Sequence, residues 1–494
     1  MAKNKKLNLG ILSLFLISMG GGVLSTAETI EDAKRQIDEN NKIIGSEEGT
    51  TYTGESGGSF VTTKDGTKLE GKVKFDIKST GGETHLELDG NGVKADDLSI
   101  TIAPKEDTTH ERAKGLITRK SSDVNINNLN VDVIFKDTTG QFSGSADSNA
   151  SYGVAVGYDW DGGSQTDVSR LTVNNMDVKV KNTPDTTFSI NTVTRSIFGF
   201  SITANVRFAH QLSGLKVYRK GGAKAEFVSN GNTNILVEDV SKTKSGDYLA
   251  GVYVSGEESK ATFNGDTNIT VIGEGVNSAA IKIGKPVEKF EENKASKVEV
   301  NGKLNIDTTK MPNSGAVRLF TNNTSFEVTG KNTSEASLIK AGNSAIVFDM
   351  QDYVLGFSTK SKVDPNNPED WGLVTTRNVA AENQSVKLHN TKLSTVSNDK
   401  SLILVKAEIA KDNSFGQASR FEPSLNGGSG YASKNAVFEL SGEKSEAIAA
   451  KNGWLIETQG VDKNTVSSLT ATIKDKASIY GMVNKAFGRG QHTL

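Results

Sequence analysis

The sequence predicts an all-β protein: a right-handed parallel β-helix of stacked coils behind one short N-terminal helix. Three observations carry that expectation. The first is composition, with 35% hydrophobic and 6% aromatic residues, and 50 Gly against 7 Pro. A large α/β enzyme needs more Leu, Ala and aromatic residues for a thick core, while a disordered chain has more Pro and fewer β-branched residues. The second is a period-two alternation of apolar and polar residues in many short runs. The third is the return of one strand–turn–strand unit along the chain.

The elements follow in order. Residues 1–27 read as a secretory signal peptide: Lys3, Lys5 and Lys6, then an apolar stretch over 7–19, then the small residues Ser25, Thr26 and Ala27. The apolar stretch is too short to span a bilayer comfortably, which takes about 20 residues. The reading therefore places the chain outside the cytoplasm, at the cell surface or outer membrane or in the medium. Residues 28–45 predict a capping or docking helix. Ile30, Ala33, Ile37 and Ile44 recur near helical spacing, acids occupy the first turn, and Gly45 supplies the stop.

From 46 to 487 the pattern is that of strands. Val73-Lys-Phe-Asp-Ile alternates, as do runs from Leu98, Leu129, Met176 and Leu215, each preceded by turn residues such as Asp96-Asp97, Asn127-Asn128 and Asn174-Asn175. Val124-Asn-Ile-Asn-Asn-Leu-Asn-Val-Asp-Val is echoed from Leu171, and Asn-Gly pairs recur at 230, 264 and 301. Such echoes predict coils that each bury one strand face and hold only when stacked. Asn and Gly suit the left-handed corners, and stacked Asn can share amide hydrogen bonds. At ~20–29 residues per coil, about 16–23 coils is the upper bound, a rod of roughly 75–110 Å that loops would shorten. Loop insertions are expected near 137–163, 361–372 and 412–433, and a tail over 488–494. Loops leaving a rigid scaffold are where binding usually resides.

The signal peptide, the absence of Cys, and repeats such as Phe263-Asn-Gly-Asp-Thr-Asn-Ile-Thr-Val, followed by Ala279-Ala-Ile-Lys-Ile-Gly, resemble the passenger of a bacterial type V autotransporter of the adhesin-like kind. The resemblance covers about residues 60–470. It implies a right-handed parallel β-helix carried to the cell surface by an outer-membrane β-barrel translocator. That partner is expected but not present in this chain, which ends Gly-Arg-Gly-Gln-His-Thr-Leu494 without the aromatic-girdled strands of a barrel. The expectation is a chain truncated before its barrel, or else a freely secreted rod.

The charge balance argues against nucleic acid: 57 Lys+Arg stand against 59 Asp+Glu, and losing the three leader lysines makes it more acidic. The expected partner is a host or bacterial surface protein or glycan, met by Tyr158, Trp160, Asp161, Asp364 and Trp371 on protruding loops. No cofactor is expected. Asp159, Asp161 and Asp167 form a weak calcium candidate, because the twelfth position of an EF-hand count is Arg170 and the third ligand position is Gly163. Catalytic spellings fare no better. Gly54-Glu-Ser-Gly-Gly58 lacks the strand–turn–helix context of a nucleophile elbow, and residues 66–73 lack the Ser/Thr and helix of a phosphate loop. His85, His110, His210, His389 and His492 are dispersed. The enzymatic rival is a polysaccharide-active β-helix drawing on Asp96, Asp97, Asp159 and Asp161.

Overall fold

The computed structural model describes residues 27–109, 112–119, 122–138, 150–157, 168–187, 189–197, 200–208, 211–219, 224–242, 248–256, 258–275, 278–284, 295–350, 354–358, 360–362, 372–375, 381–409, 415–416, 420–421, 430–461, 464–485 and 492–493. Strand dominates it, and the described residues include one helix. The chain winds into a parallel β-helix. One wall is a sheet of twenty-two strands, and the facing wall is a sheet of twelve. Each coil contributes once to the smaller sheet, so twelve coils stack there, a rod of about 53 Å at ~4.8 Å per step.

That is fewer coils than the sequence allowed. Lys42 pairs with Lys68, 26 residues on, but Ser325 pairs with Ser385, 60 on, because insertions lengthen some of the coils. Two insertions join one another: Ser189–Ile197 and Phe200–Phe208 continue into Val354–Ser358 and Gly372–Thr375 as a single antiparallel sheet. Pairing also enters the expected tail, where His492–Thr493 lies beside Leu469 and Thr470.

The sequence echoes are structural neighbours. Val124 pairs with Leu171 and Leu129 with Met176, in register over the whole repeat. Inward residues of the larger sheet interleave into one continuous core, running from Ile43 and Tyr52 to Leu469 and Ala471. Burying each Val, Leu, Ile or Phe contributes roughly 1.5–3 kcal/mol, which stacking makes available to strands too short to hold alone. The core is narrow because a file of glycines lines it. A Cβ on Gly153 would stand 2.2 Å from Val178 Cγ1, and one on Gly251 would stand 2.2 Å from Ile269 Cγ2.

Several local expectations change. The paired residues at 96–97, 127–128 and 174–175 are not turns. They lie within the long strands Asn91–Pro104, Asp123–Phe135 and Val168–Asn182, whereas the first coil, with Lys42–Ile44 and Thr50–Ser56, and the coils from Lys224–Ser229 onward have separate strands. The helix is Ile30–Asn40, shorter than expected, with Thr29 and Asp32 forming a capping box and Asn41 closing it at φ 53°. Ile44 is therefore on the strand Lys42–Ile44, where it is exposed. Ile30, Ala33 and Ile37 face the core, so the helix covers the first coil instead of standing alone. Left-handed corners do fall on Asn41, Asn323, Asn383, Asn390 and Asn435.

The smaller sheet differs from an ordinary half-buried sheet. Its strands Lys114–Thr118, Ala150–Val156, Ala279–Ile283 and Val317–Leu319 are buried throughout. The three described insertions, over 189–208, 354–375 and 407–434, all leave or rejoin a strand of this sheet. The larger sheet keeps alternate residues open to solvent, as in Leu171–Val180.

Candidate functional site

On the open wall, a groove of ≈ 640 Å³ runs across the first six coils. Parallel pairing places like positions of successive coils side by side, so a residue type repeated in sequence becomes a row in space. One row runs Lys72, Asp97, Asn128, Asn175 and continues to Asn232. The other runs Thr51, Lys74, Ser99, Asn130, Asp177, Asn234. Between them the floor is Val73, Leu98, Leu129 and Met176, each at most 2% exposed. Glu48 and Gly49 also line the groove.

The first row is wired internally. Asn128 Nδ2 donates to the Asp97 carboxylate, Asn175 Nδ2 donates to Asn128 Oδ1 at 2.9 Å, and the Asn232 backbone N–H donates to Asn175 Oδ1 at 3.1 Å. The second row is looser. Among the described residues, the side chains of Lys74, Ser99 and Asn130 hold no hydrogen-bond partner, and Asn130 is exposed. Asp177 lies 4.0 Å from Lys179. The arrangement is an elongated surface of amides, hydroxyls, two ammonium groups and three carboxylates.

Asp97 is thus the one sequence-proposed acid that the structure places in the groove. Asp96 serves the backbone instead, accepting from the Gly71 N–H at 2.9 Å. The expected binding residues Tyr158, Trp160, Asp161, Asp364 and Trp371 lie outside the described residues, as do the calcium candidates Asp159 and Asp167. Among the described residues, no group of three His, Asp or Glu is placed to hold a metal ion. Amide sharing between stacked asparagines follows the sequence expectation, but that the rows line a groove beside Asp97 is visible only once the register is known. The signal was the Asn-Asn pair repeated 47 residues apart.

The rejected motifs are structural. Ser56 ends the strand Thr50–Ser56 and folds onto the corner, donating to Gly58 O at 2.9 Å. His85 Nδ1 lies 2.5 Å from Glu83 O, and its Nε2 lies 3.3 Å from Glu87. His389 sits 3.1 Å from Ser441 Oγ, but the polarity is wrong for a nucleophile. The Lys444 N–H donates to Asn390 Oδ1 and fixes that amide, whose Nδ2 then donates to His389 Nε2. With the Asn390 amide so oriented, a neutral ring would carry its proton on Nδ1, toward the serine, and would not serve as the hydroxyl's base.

The buried wall holds a second chemical cluster. Lys114, Lys216, Lys282 and Arg318 are at most 5% exposed. Lys114 pairs with Glu83 at 2.8 Å, Lys216 donates to the Tyr152 hydroxyl at 2.6 Å, and Arg318 pairs with Asp349. Lys282 lies 4.7 Å from the Tyr248 ring centre and 4.9 Å from that of Phe320. Anions, a hydroxyl and ring faces offset the cost of desolvating these cations within a sheet buried on both sides.

No protein-family model, curated protein or solved structure matches the chain.

Proposed function

We propose that this chain is the surface-exposed passenger of an adhesin-like autotransporter, a non-enzymatic rod that is exported and binds a surface ligand. The observation that supports this best is the groove, a solvent-open track of polar side chains fixed in rows by a rigid coil stack. The leader-like residues 1–27 and the repeat pattern support export and display. The test is to measure binding of the purified chain to epithelial and bacterial surfaces while screening it for turnover of polyuronides and host glycans. Saturable binding without turnover is expected.

The placement of Asp97 and Asp177 in one groove favours a second reading, a secreted polysaccharide lyase or hydrolase. Turnover that disappears in Asp97→Asn would replace the first reading with this one.

A further inference from the structure

We infer that the groove's ligand is a neutral, linear polysaccharide lying along the coil axis, an inference that rests on the binding role proposed above. The rows span six coils, about 24 Å at ~4.8 Å per coil, so the site fits an extended polymer better than a compact metabolite. Hydrogen-bonding capacity then selects the class. An amide has two donor hydrogens and two acceptor lone pairs. Asn128 spends one donor on Asp97 and accepts from Asn175, so it keeps one donor and one acceptor, while Asn130 keeps both of each. Side chains that offer donor and acceptor together match sugar hydroxyls, which do the same.

The alternatives fit less well. A polyanion would gain from Lys72 and Lys74 but meet Glu48, Asp97 and Asp177 along the same track. A peptide captured by strand addition needs an unpaired sheet edge, whereas the groove lies on a sheet face whose strands are already paired on both sides. Among the described residues, the groove offers no apolar pocket for a side-chain anchor, because Val73, Leu98, Leu129 and Met176 are sealed beneath the rows.

Calorimetric titration of the full chain tests the assignment. The neutral probes are cellohexaose, xylohexaose and chitohexaose, the anionic probes are hyaluronan and polygalacturonate, and a Ser/Thr-rich peptide represents protein. At least one neutral hexasaccharide should bind. Asn130→Ala, an exposed position outside the amide ladder, should weaken it roughly 5–10-fold, the worth of about one hydrogen-bonding group. Lys387→Ala, on an exposed position outside the groove, should leave it unchanged. Binding of only the anionic polymers or the peptide, or neutral binding indifferent to both Asn130→Ala and Ser99→Ala, would overturn the inference. Surface adhesion whose affinity is the same in Asn130→Ala as in the unaltered chain would sink the groove assignment and leave the adhesin reading standing. Cleavage of a groove-bound hexasaccharide would support the assignment and remove the non-enzymatic reading.

Discussion

A file of asparagines ties neighbouring coils together, within the long strands at Asn127 and Asn174 and at the breaks between strands at Asn230, Asn264 and Asn301. Asn174 Nδ2 donates to Asn127 Oδ1 at 2.8 Å, Asn264 to Asn230 at 3.0 Å, and Asn301 to Asn264 at 2.9 Å. The glycines beside them are required by proximity, not by left-handed backbone: Gly231, Gly265 and Gly302 do not take positive φ. A Cβ on Gly265 would instead stand 2.2 Å from Gly231 O. Gly265→Ala should therefore destabilise the chain by about 1–3 kcal/mol through overpacking, read as a lower midpoint in urea. Charge works at the same scale. Burial alone would raise the Glu299 carboxyl, but hydrogen bonds and charge from Lys297 and Lys260 outweigh it and hold it down at about 2. A depressed carboxyl contributes stability above its unfolded value of about 4.3 and loses it as pH falls toward 2. Glu299→Gln should accordingly flatten the acid limb of stability between those values, and an unchanged limb would show that the pair contributes nothing.

The helix Ile30–Asn40 illustrates how an element depends on its neighbours. Eleven residues are too few to persist alone in water. Its apolar face packs over the first coil, where Ile30 and Ile37 join Tyr52, Phe60 and Phe75 in the core. Ile37→Ala should cost about 2–5 kcal/mol, and amide exchange should accelerate in the helix and in Thr50–Ser56 before it does elsewhere. Sequence showed this element through its periodicity but overran its end. Ile44 happens to fall on the helical period, while the actual stop is the left-handed Asn41. The strands of the larger sheet were legible because one of their faces meets water. Those of the smaller sheet were legible only in part: the run from Leu215 alternates, but Ala150–Val156 is buried on both faces and has no alternation to read, and the sheet's buried lysines look like surface residues until their partners are known.

At the scale of the molecule, the stack was legible from its repeats, but the number of coils was not. Repeat length was inferred from the short units, whereas the coil closing at Ser385 holds a 60-residue circuit. The candidate groove was half legible. Asp97 was singled out, yet the row joining it to Asn128 and Asn175 exists only once register is known. A stack in which each coil touches chiefly its neighbours should respond locally to damage. Ile37→Ala in the helix over the first coil and Gly265→Ala in the seventh coil should therefore add to within ~0.5 kcal/mol when combined. A larger discrepancy, measured by urea unfolding of both single variants and the double, would mean that strain travels the length of the rod. The unequal treatment of the two walls has a further consequence. Every described insertion leaves or rejoins a strand of the smaller sheet, while the described strands of the larger sheet keep alternate residues open to solvent, so the two walls offer different surfaces. Under the proposed surface display, contact would then depend on how each rod is rotated about its own axis as much as on how far it reaches.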